Sequence, residues 1–263
     1  IVKQGLKVLK TKKNLGLKTL IDICGIDTQP NIYHVGYVLG PRINAGGRVG
    51  KSSHGANLLI NNNAREVFKI ASELDQFNKE RKFLEEEVLN KIIIEANKTQ
   101  SDPVIIVSGK NWHEGVIGIV ASRLKDKFNK PVIIITVDNN LGKASARSIV
   151  GFDIGSIIIA ATQEKILIKG GGHKMAGGFT IDVNNIDKFK EFVLKKFKNK
   201  VGNLTEEKCL YLDSIISPAA LNLDFFNKIN SLAPFGSGNP EPKFVIENLK
   251  TMNNKVIKNK HVK

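Results

Sequence analysis

From Asn61 to Gln100 the chain contains neither proline nor glycine. Within that stretch Val67, Ile70, Leu74, Phe77, Arg81, Leu84 and Val88 alternate spacings of three and four. That period puts them on one face of an α-helix. A helix of about 35 residues would be roughly 50 Å long at 1.5 Å per residue, more than the width of a small domain. The chain must therefore use it as a connector between two domains or lay it along one large domain, and the pattern allows both.

The segments on either side differ in kind. Residues 1–30 read as helical, with Leu6, Leu9, Leu17, Leu20 and Ile21 as the apolar positions and a break from Asp27 to Pro30. "GYVLGPRINAGGRVGKSSHGANLLI", from Gly36 to Ile60, reads as a shaped loop rich in glycine, with a short helix starting near Ala56. From Pro103 the pattern becomes α/β. "PVIIVS", "KPVIIITVD" and "LGKASARSI" read as strands, and "HEGVIGIVASRLKDKF" and "FDIGSIIIAATQE" as helices. "ILIKGGGHKMAGGFTIDV" reads as strand, glycine turn, strand. "NIDKFKEFVLKKFKN" closes the unit as an amphipathic helix with Ile186, Phe189, Phe192, Val193 and Phe197 on one side. Alternation of this sort predicts an α/β fold with a mostly parallel or mixed sheet. After Gly202 short strands, a helix at "LDFFNKINSL" and asparagine-rich turns predict the start of a small β domain.

The chain carries 40 lysines and arginines against 25 acids, a net charge of +15. Such an excess fits a polyanionic partner such as nucleic acid. The abundance of lysine, asparagine and isoleucine also fits compositional drift. Only six of the 40 basic residues are arginines, and Arg42, Arg48 and Arg147 fall in or beside small, polar, loop-like stretches. The planar guanidinium fork matches phosphate where an ammonium does not. No apolar run approaches the roughly 20 residues of a membrane span, and no signal peptide is visible. Cys24 and Cys209 lie far apart in sequence, which fits a reducing, cytoplasmic setting. The first residue is Ile1 and the last stretch has no stop-like feature, so both ends look cut from something longer.

Four stretches carry candidate chemistry. In "GGGHKMAGG" the run through Gly171 and Gly172 is entropically costly for ordinary structure. It can present backbone N–H groups to an anion, and His173 can donate to a phosphate or a departing oxygen. In "ASARS" Ser145 and Arg147 are two apart on or beside a strand and so share a face; a hydroxyl beside a guanidinium suits a terminal phosphate. Trp112 and His113 fall where a strand ends and a helix begins, the position where open α/β sheets bind ligands. Gly115 and Gly118 allow close approach to that helix, while Trp112 can equally fill a core corner. In "GPRINAGGRVG" Arg42, Asn44 and Arg48 suit a phosphate-contacting loop or a tight interdomain corner. No His, Cys or acidic cluster has metal-ligand spacing, so no metal ligand is predicted within the chain.

Together these stretches resemble the later part of the RecJ single-strand-specific exonucleases of the DHH phosphoesterase superfamily. The resemblance rests on "VKQGLK" (2–7), "GPRINAGGRVG" (40–50), "LDQFNKERKFLEEEV" (74–88), "WHEGVIGIVASRL" (112–124), "SARS" (145–148), "GGGHKMAGGF" (170–179) and "LAPFGSGNPEPKF" (232–244), in the family's order. It implies the C-terminal end of a DHH domain at 1–60 and a connecting helix at 61–99. It implies a DHH-associated substrate-binding domain at 100–202 and part of an oligonucleotide-binding (OB) barrel at 203–263. It further implies a 5′-to-3′ exonuclease of single-stranded DNA, used in repair and recombination, monomeric and cytoplasmic. Mn2+ or Mg2+ would be held by a DHH segment preceding Ile1, so this chain alone would be inactive. His173 would steady the substrate phosphate, and Arg48, Ser145 and Arg147 would hold the 5′-side phosphate. Two other readings stay open: a non-catalytic single-strand-binding remnant, and a phosphodiesterase of very short oligonucleotides, which the barrel segment disfavours.

The charge and the arginine-bearing stretches predict salt-sensitive binding of single-stranded DNA. Log affinity should fall linearly with log salt, by about 0.7 per phosphate contact. Titration of a labelled oligonucleotide at several salt concentrations measures the slope, and a flat response contradicts the electrostatic reading.

Overall fold

The long helix is present in the computed structural model, which describes residues 1–99, 101–200, 209–248, 250, 255–257 and 261–262. Two shorter helices, α1 (Val2–Lys10) and α2 (Leu15–Ile23), precede it, and Asn14 caps α2 by accepting the Leu17 N–H. By contacts the chain forms two compact units, residues 8–206 and residues 1–7 with 207–263. No helix among the described residues is long and apolar enough to cross a membrane.

The glycine-rich stretch before the long helix is helical, contrary to the loop expected from its composition. A π-helical turn at His34–Leu39 runs into α3 (Gly40–Val49), and α4 (His54–Ile60) follows. Gly46, Gly50 and Gly55 serve close packing. A Cβ on Gly46 would lie 2.7 Å from the Lys51 carbonyl oxygen, one on Gly55 2.8 Å from the Ile43 oxygen, and one on Gly50 2.5 Å from the Phe77 ring. Glycine weakens a helix by about 1 kcal/mol relative to alanine; here it lets helices touch at backbone distance.

The long helix, α5 (Ala64–Lys98), begins at Asn63, whose side chain accepts the Arg65 and Glu66 N–H groups. Its first half packs Val67, Ala71 and Leu74 against Leu20, Ile21, Leu39 and Leu58. Its second half packs Val88, Ile92 and Ala96 into a different core. Between them the apolar stripe admits charge. Arg81 donates to Glu85 Oε2 at 2.5 Å and to Asn78 Oδ1 at 3.0 Å, and Arg123 pairs with Glu85 Oε1 at 2.6 Å. The Glu85 side chain is only 2% exposed.

Beyond α5 the chain builds β1 (Ile105–Lys110), α6 (Glu114–Phe128), β2 (Val132–Asp138), β3 (Leu141–Arg147), α7 (Ile154–Gln163), β4 (Lys169–His173), β5 (Ala176–Asp182) and α8 (Ile186–Lys200). The strands form one mixed five-stranded sheet, ordered β1-β2-β3-β5-β4, with β1 and β2 parallel and the other pairs antiparallel. Strand β2 is apolar on both sides because both sides are covered. Val132 and Ile134 face α6 and α5, while Ile133 and Ile135 face α7 and α8. The glycine run is strand, not turn: Gly171 pairs with Gly178 and Gly172 with Gly177, and the reversal falls at Lys174–Met175. Trp112 is a core residue, 9% exposed, over Gly109 and with its carbonyl accepting from Thr136 at 2.7 Å.

In the second unit β6 (Ser214–Ile215) pairs in parallel with β7 (Phe244–Val245), and α9 (Leu223–Ser231) lies between them in sequence. β8 (Val256–Ile257) pairs antiparallel with β9 (His261–Val262). Of the short strands expected after Gly202, the one read in "EKCLYLDSIIS" (207–217) is limited to Ser214–Ile215, and its first two residues lie outside those described.

Removing the Glu85 carboxylate would strand the buried Arg81 guanidinium. Glu85→Ala should therefore lower unfolding stability by about 3 kcal/mol, read as a shifted urea midpoint. An unchanged midpoint would show that the pair contributes nothing.

Candidate nucleic-acid interface

Sheet register places nine residues on one face in a three-by-three lattice. Arg147 pairs with Ala176 and Ala176 with His173; Ser145 with Gly178 and Gly178 with Gly171; Lys143 with Thr180 and Thr180 with Lys169. Directly paired residues share a face, and strands lie about 4.8 Å apart, so Arg147 and His173 stand on strands separated by roughly 10 Å. The basic residues occupy the four corners and small residues fill the middle. This is the α6 side of the sheet. On this side α5 covers β1 and α6 covers β2 and β3, leaving β5 and β4 bare; an added Cβ on Gly171 would meet nothing within 4 Å.

The glycines on the opposite face have another cause. A Cβ on Gly170 would lie 2.7 Å from Ile158 Cγ2 of α7, and one on Gly155 of α7 would lie 2.9 Å from the backbone of Gly172 and His173. Gly170 and Gly177 are thus small so that Ile158 of α7 can press against the hairpin, and Gly172 because a Cβ there would run into the Ala176 oxygen of β5, whereas Gly171 and Gly178 keep the open face flat. Of the two predicted contact glycines, Gly171 faces the open side and Gly172 faces α7.

Ser145 and Arg147 share a face as expected. Arg147 donates from Nη1 to Ser145 Oγ at 3.1 Å and to the Ala146 oxygen at 2.8 Å, and from Nε to Ser122 Oγ at 3.1 Å. Gly118, one turn before Ser122, is the helix position where they pass; a Cβ there would lie 2.9 Å from Ser145 Oγ and 3.0 Å from Arg147 Nη2. Burial first, and then the nearby charge of Arg48, lowers the Arg147 pKa from its ordinary value. Guanidinium remains charged at any physiological pH, so the lowering marks positive charge that a bound anion would relieve.

Arg48, in the last turn of α3, is exposed and donates to the Gly115 carbonyl at 3.2 Å. His113 caps α6 from the same corner, its Nδ1 accepting the Gly115 N–H at 3.1 Å. His173 accepts the Met175 N–H on Nδ1 at 3.3 Å, which places its proton on Nε2, where it can donate.

The other two predicted contacts fall differently because α3 is a helix. At 100° per residue Asn44 and Arg48 lie near one face and Arg42 on the opposite one. Asn44 is exposed. Arg42 is occupied: its Nε donates to Asp75 at 2.7 Å and its Nη1 to the Val38 carbonyl at 2.9 Å. Burial would raise the Asp75 pKa, but hydrogen bonds from Lys79 and Arg42 outweigh it and hold the carboxyl below its usual value. Arg42 therefore ties α3 to α5 through Asp75, as the tight-corner reading of this stretch expects.

Sequence reading missed Ser122, Lys143, Lys169 and Thr180. Ser122 lies four residues after Gly118, a visible helical spacing, and Lys143 two before Ser145, a visible strand spacing. Thr180 and Lys169 join only through register. Glu114 pairs with Lys143 at 2.7 Å.

Residues 101–199 match the DHHA1 domain and residues 212–263 the RecJ OB domain. The single-stranded-DNA-specific exonuclease RecJ of Bacillus subtilis is 34% identical over 253 residues, covering 93% of this chain and 31% of that protein. A crystal structure of RecJ in complex with Mn2+ from Thermus thermophilus matches with a TM-score of 0.82 at 30% identity, covering 93% of this chain and 36% of that one. The chain belongs to the RecJ family. It spans about a third of the length of these RecJ relatives, at 31% and 36%. Among the described residues no three His, Cys, Asp or Glu side chains converge as a metal would need.

The hydrogen bonds around Arg147 use its planar fork, not merely its charge. Arg147→Lys should lose a preference for phosphorylated ends nearly as fully as Arg147→Ala. If lysine restores most of the preference in a binding assay with 5′-phosphorylated and 5′-hydroxyl oligonucleotides, Arg147 acts only as a general charge.

Proposed function

We propose that this chain forms the strand-holding part of a 5′-to-3′ single-stranded-DNA exonuclease of repair and recombination, acting as a monomer in the cytoplasm. The observation that carries the reading is the lattice: three cations and a histidine at the corners of a side-chain-poor floor, with Arg48 added from α3. The RecJ relatives support the substrate class. We assign residues 1–60 to the end of a DHH domain, 61–99 to its connecting helix, 100–202 to the substrate-binding domain and 203–263 to part of the OB domain.

In this reading the 5′-phosphate lies at Arg147, Ser145 and Arg48. Ser145 Oγ accepts from Arg147 and keeps its own proton to donate outward. The bare peptide units at Gly171 let the strand approach the sheet, and the next phosphate comes under His173. From Nε2, His173 can donate to the charge that develops on a phosphate oxygen, an interaction that matters most in the transition state. His113 and Asn44 flank the Arg48 corner. Hydrolysis itself requires metal-holding groups that do not come together among the described residues.

Two measurements test the proposal. The chain should bind a 5′-phosphorylated single strand more tightly than its 5′-hydroxyl counterpart, and equal binding of the two would reject the phosphate assignment. Incubated with manganese, residues 1–263 should not shorten a labelled strand; robust metal-dependent cleavage would mean that a complete centre lies within the chain.

A further inference from the structure

Directly beside the proposed phosphate row, on the same face, a cavity of about 620 Å³ opens. This lies within the roughly 300–1,000 Å³ of small-molecule sites. Ser145 and the backbone of Gly178 belong to both the phosphate row and the cavity. Its further lining includes Ile117 on the α6 side and Lys143, Thr180, Lys169 and Glu114.

With Lys169 and an ion-paired Lys143–Glu114 at its rim, this lining mixes charges and suits a heteroaromatic ring better than a second phosphate. Glu114 would repel an anion, and it already neutralises Lys143 at 2.7 Å. A base presents the opposite requirements: an apolar flat face and an edge of mixed donors and acceptors. Ile117 supplies an apolar wall, and the glycine backbone supplies a floor on which a ring can lie. At the rim Glu114 accepts while Lys143 and Thr180 donate.

We infer that this cavity seats the base of the nucleotide whose 5′-phosphate is held by Ser145 and Arg147. The inference rests on the phosphate assignment above for its register along the strand. Lys143 and Glu114 are more than half exposed, at 60% and 58%. Long, solvated side chains can turn to meet either edge pattern, so the cavity registers that a base is present without selecting which one. A terminal nucleotide is thereby gripped at both its phosphate and its base.

The test crosses two features of the 5′-terminal nucleotide in an anisotropy assay: phosphate or hydroxyl at the end, and base present or abasic. The wild-type chain should bind base-bearing ends about tenfold more tightly than abasic ones. Thr180→Phe, which fills the cavity, should erase the difference between base-bearing and abasic ends, whether or not the end carries a phosphate. Equal binding of base-bearing and abasic ends by the wild type overturns the inference without using any variant. So does a base preference that survives Thr180→Phe, since the base must then sit elsewhere. Indifference to the phosphate with a base preference that Thr180→Phe removes would reject the phosphate assignment and keep the cavity as a base site.

Discussion

A single buried carboxylate sets the geometry of the large unit. Glu85 lies inside the apolar stripe of α5, held by Arg81 on the same helix and by Arg123 on α6. A buried ion pair adds little net stability compared with apolar packing, but it is intolerant of mismatch. Sliding or rotating α5 against α6 would leave a charge without its partner. The consequence reaches the site because α3 packs on α5 and β3 packs on α6. Arg48 rides on the first pair and Ser145 and Arg147 on the second, so the fixed α5–α6 register also fixes their separation.

The same contacts concentrate charge. Arg48, Arg81, Arg123 and Arg147 are four of the six arginines in the chain, and they sense one another. Burial lowers the Arg81 pKa, Glu85 opposes this, and Arg48 and Arg123 add to the lowering. Arg48 likewise lowers that of Arg147. Glu85 is the carboxylate paired with this group, so the positive potential persists in the folded protein before any ligand arrives. Preorganised charge of this kind gains most when water is displaced, because nothing has to reorient.

The sequence displayed the parts of this arrangement that depend on local period. The three-and-four spacing and the missing helix breakers marked α5, continuous apolar runs marked the covered strands, and the two-residue step marked Ser145 and Arg147 as neighbours. What it hid depends on contact between distant segments. A glycine that permits a turn and a glycine that permits a neighbour look the same in one dimension, so the helices around Gly46, Gly50 and Gly55 resembled a loop, and the strands at Gly170–Gly172 resembled a turn. The partner of Arg42 was hidden in the same way: only once α3 is helical does its side chain reach Asp75. Thr180 and Lys169 become neighbours of the phosphate row only when β3, β5 and β4 are laid in register, and Glu114 only when α6 packs on β3.

The bare hairpin also has a cost in the crowded cell. Strand β4 is the outer strand of its sheet, and an uncovered outer strand invites pairing with another chain. Proteins usually blunt such strands with bulk or bulges, but a surface that must admit a polymer backbone cannot be blocked that way. Here the strand is only five residues long, three of them glycine, flanked by Lys169 and His173. Glycine disfavours the extended state, and lysine on the outer strand discourages a like-charged copy. The features that leave room for a nucleic acid thus also discourage the formation of aggregates.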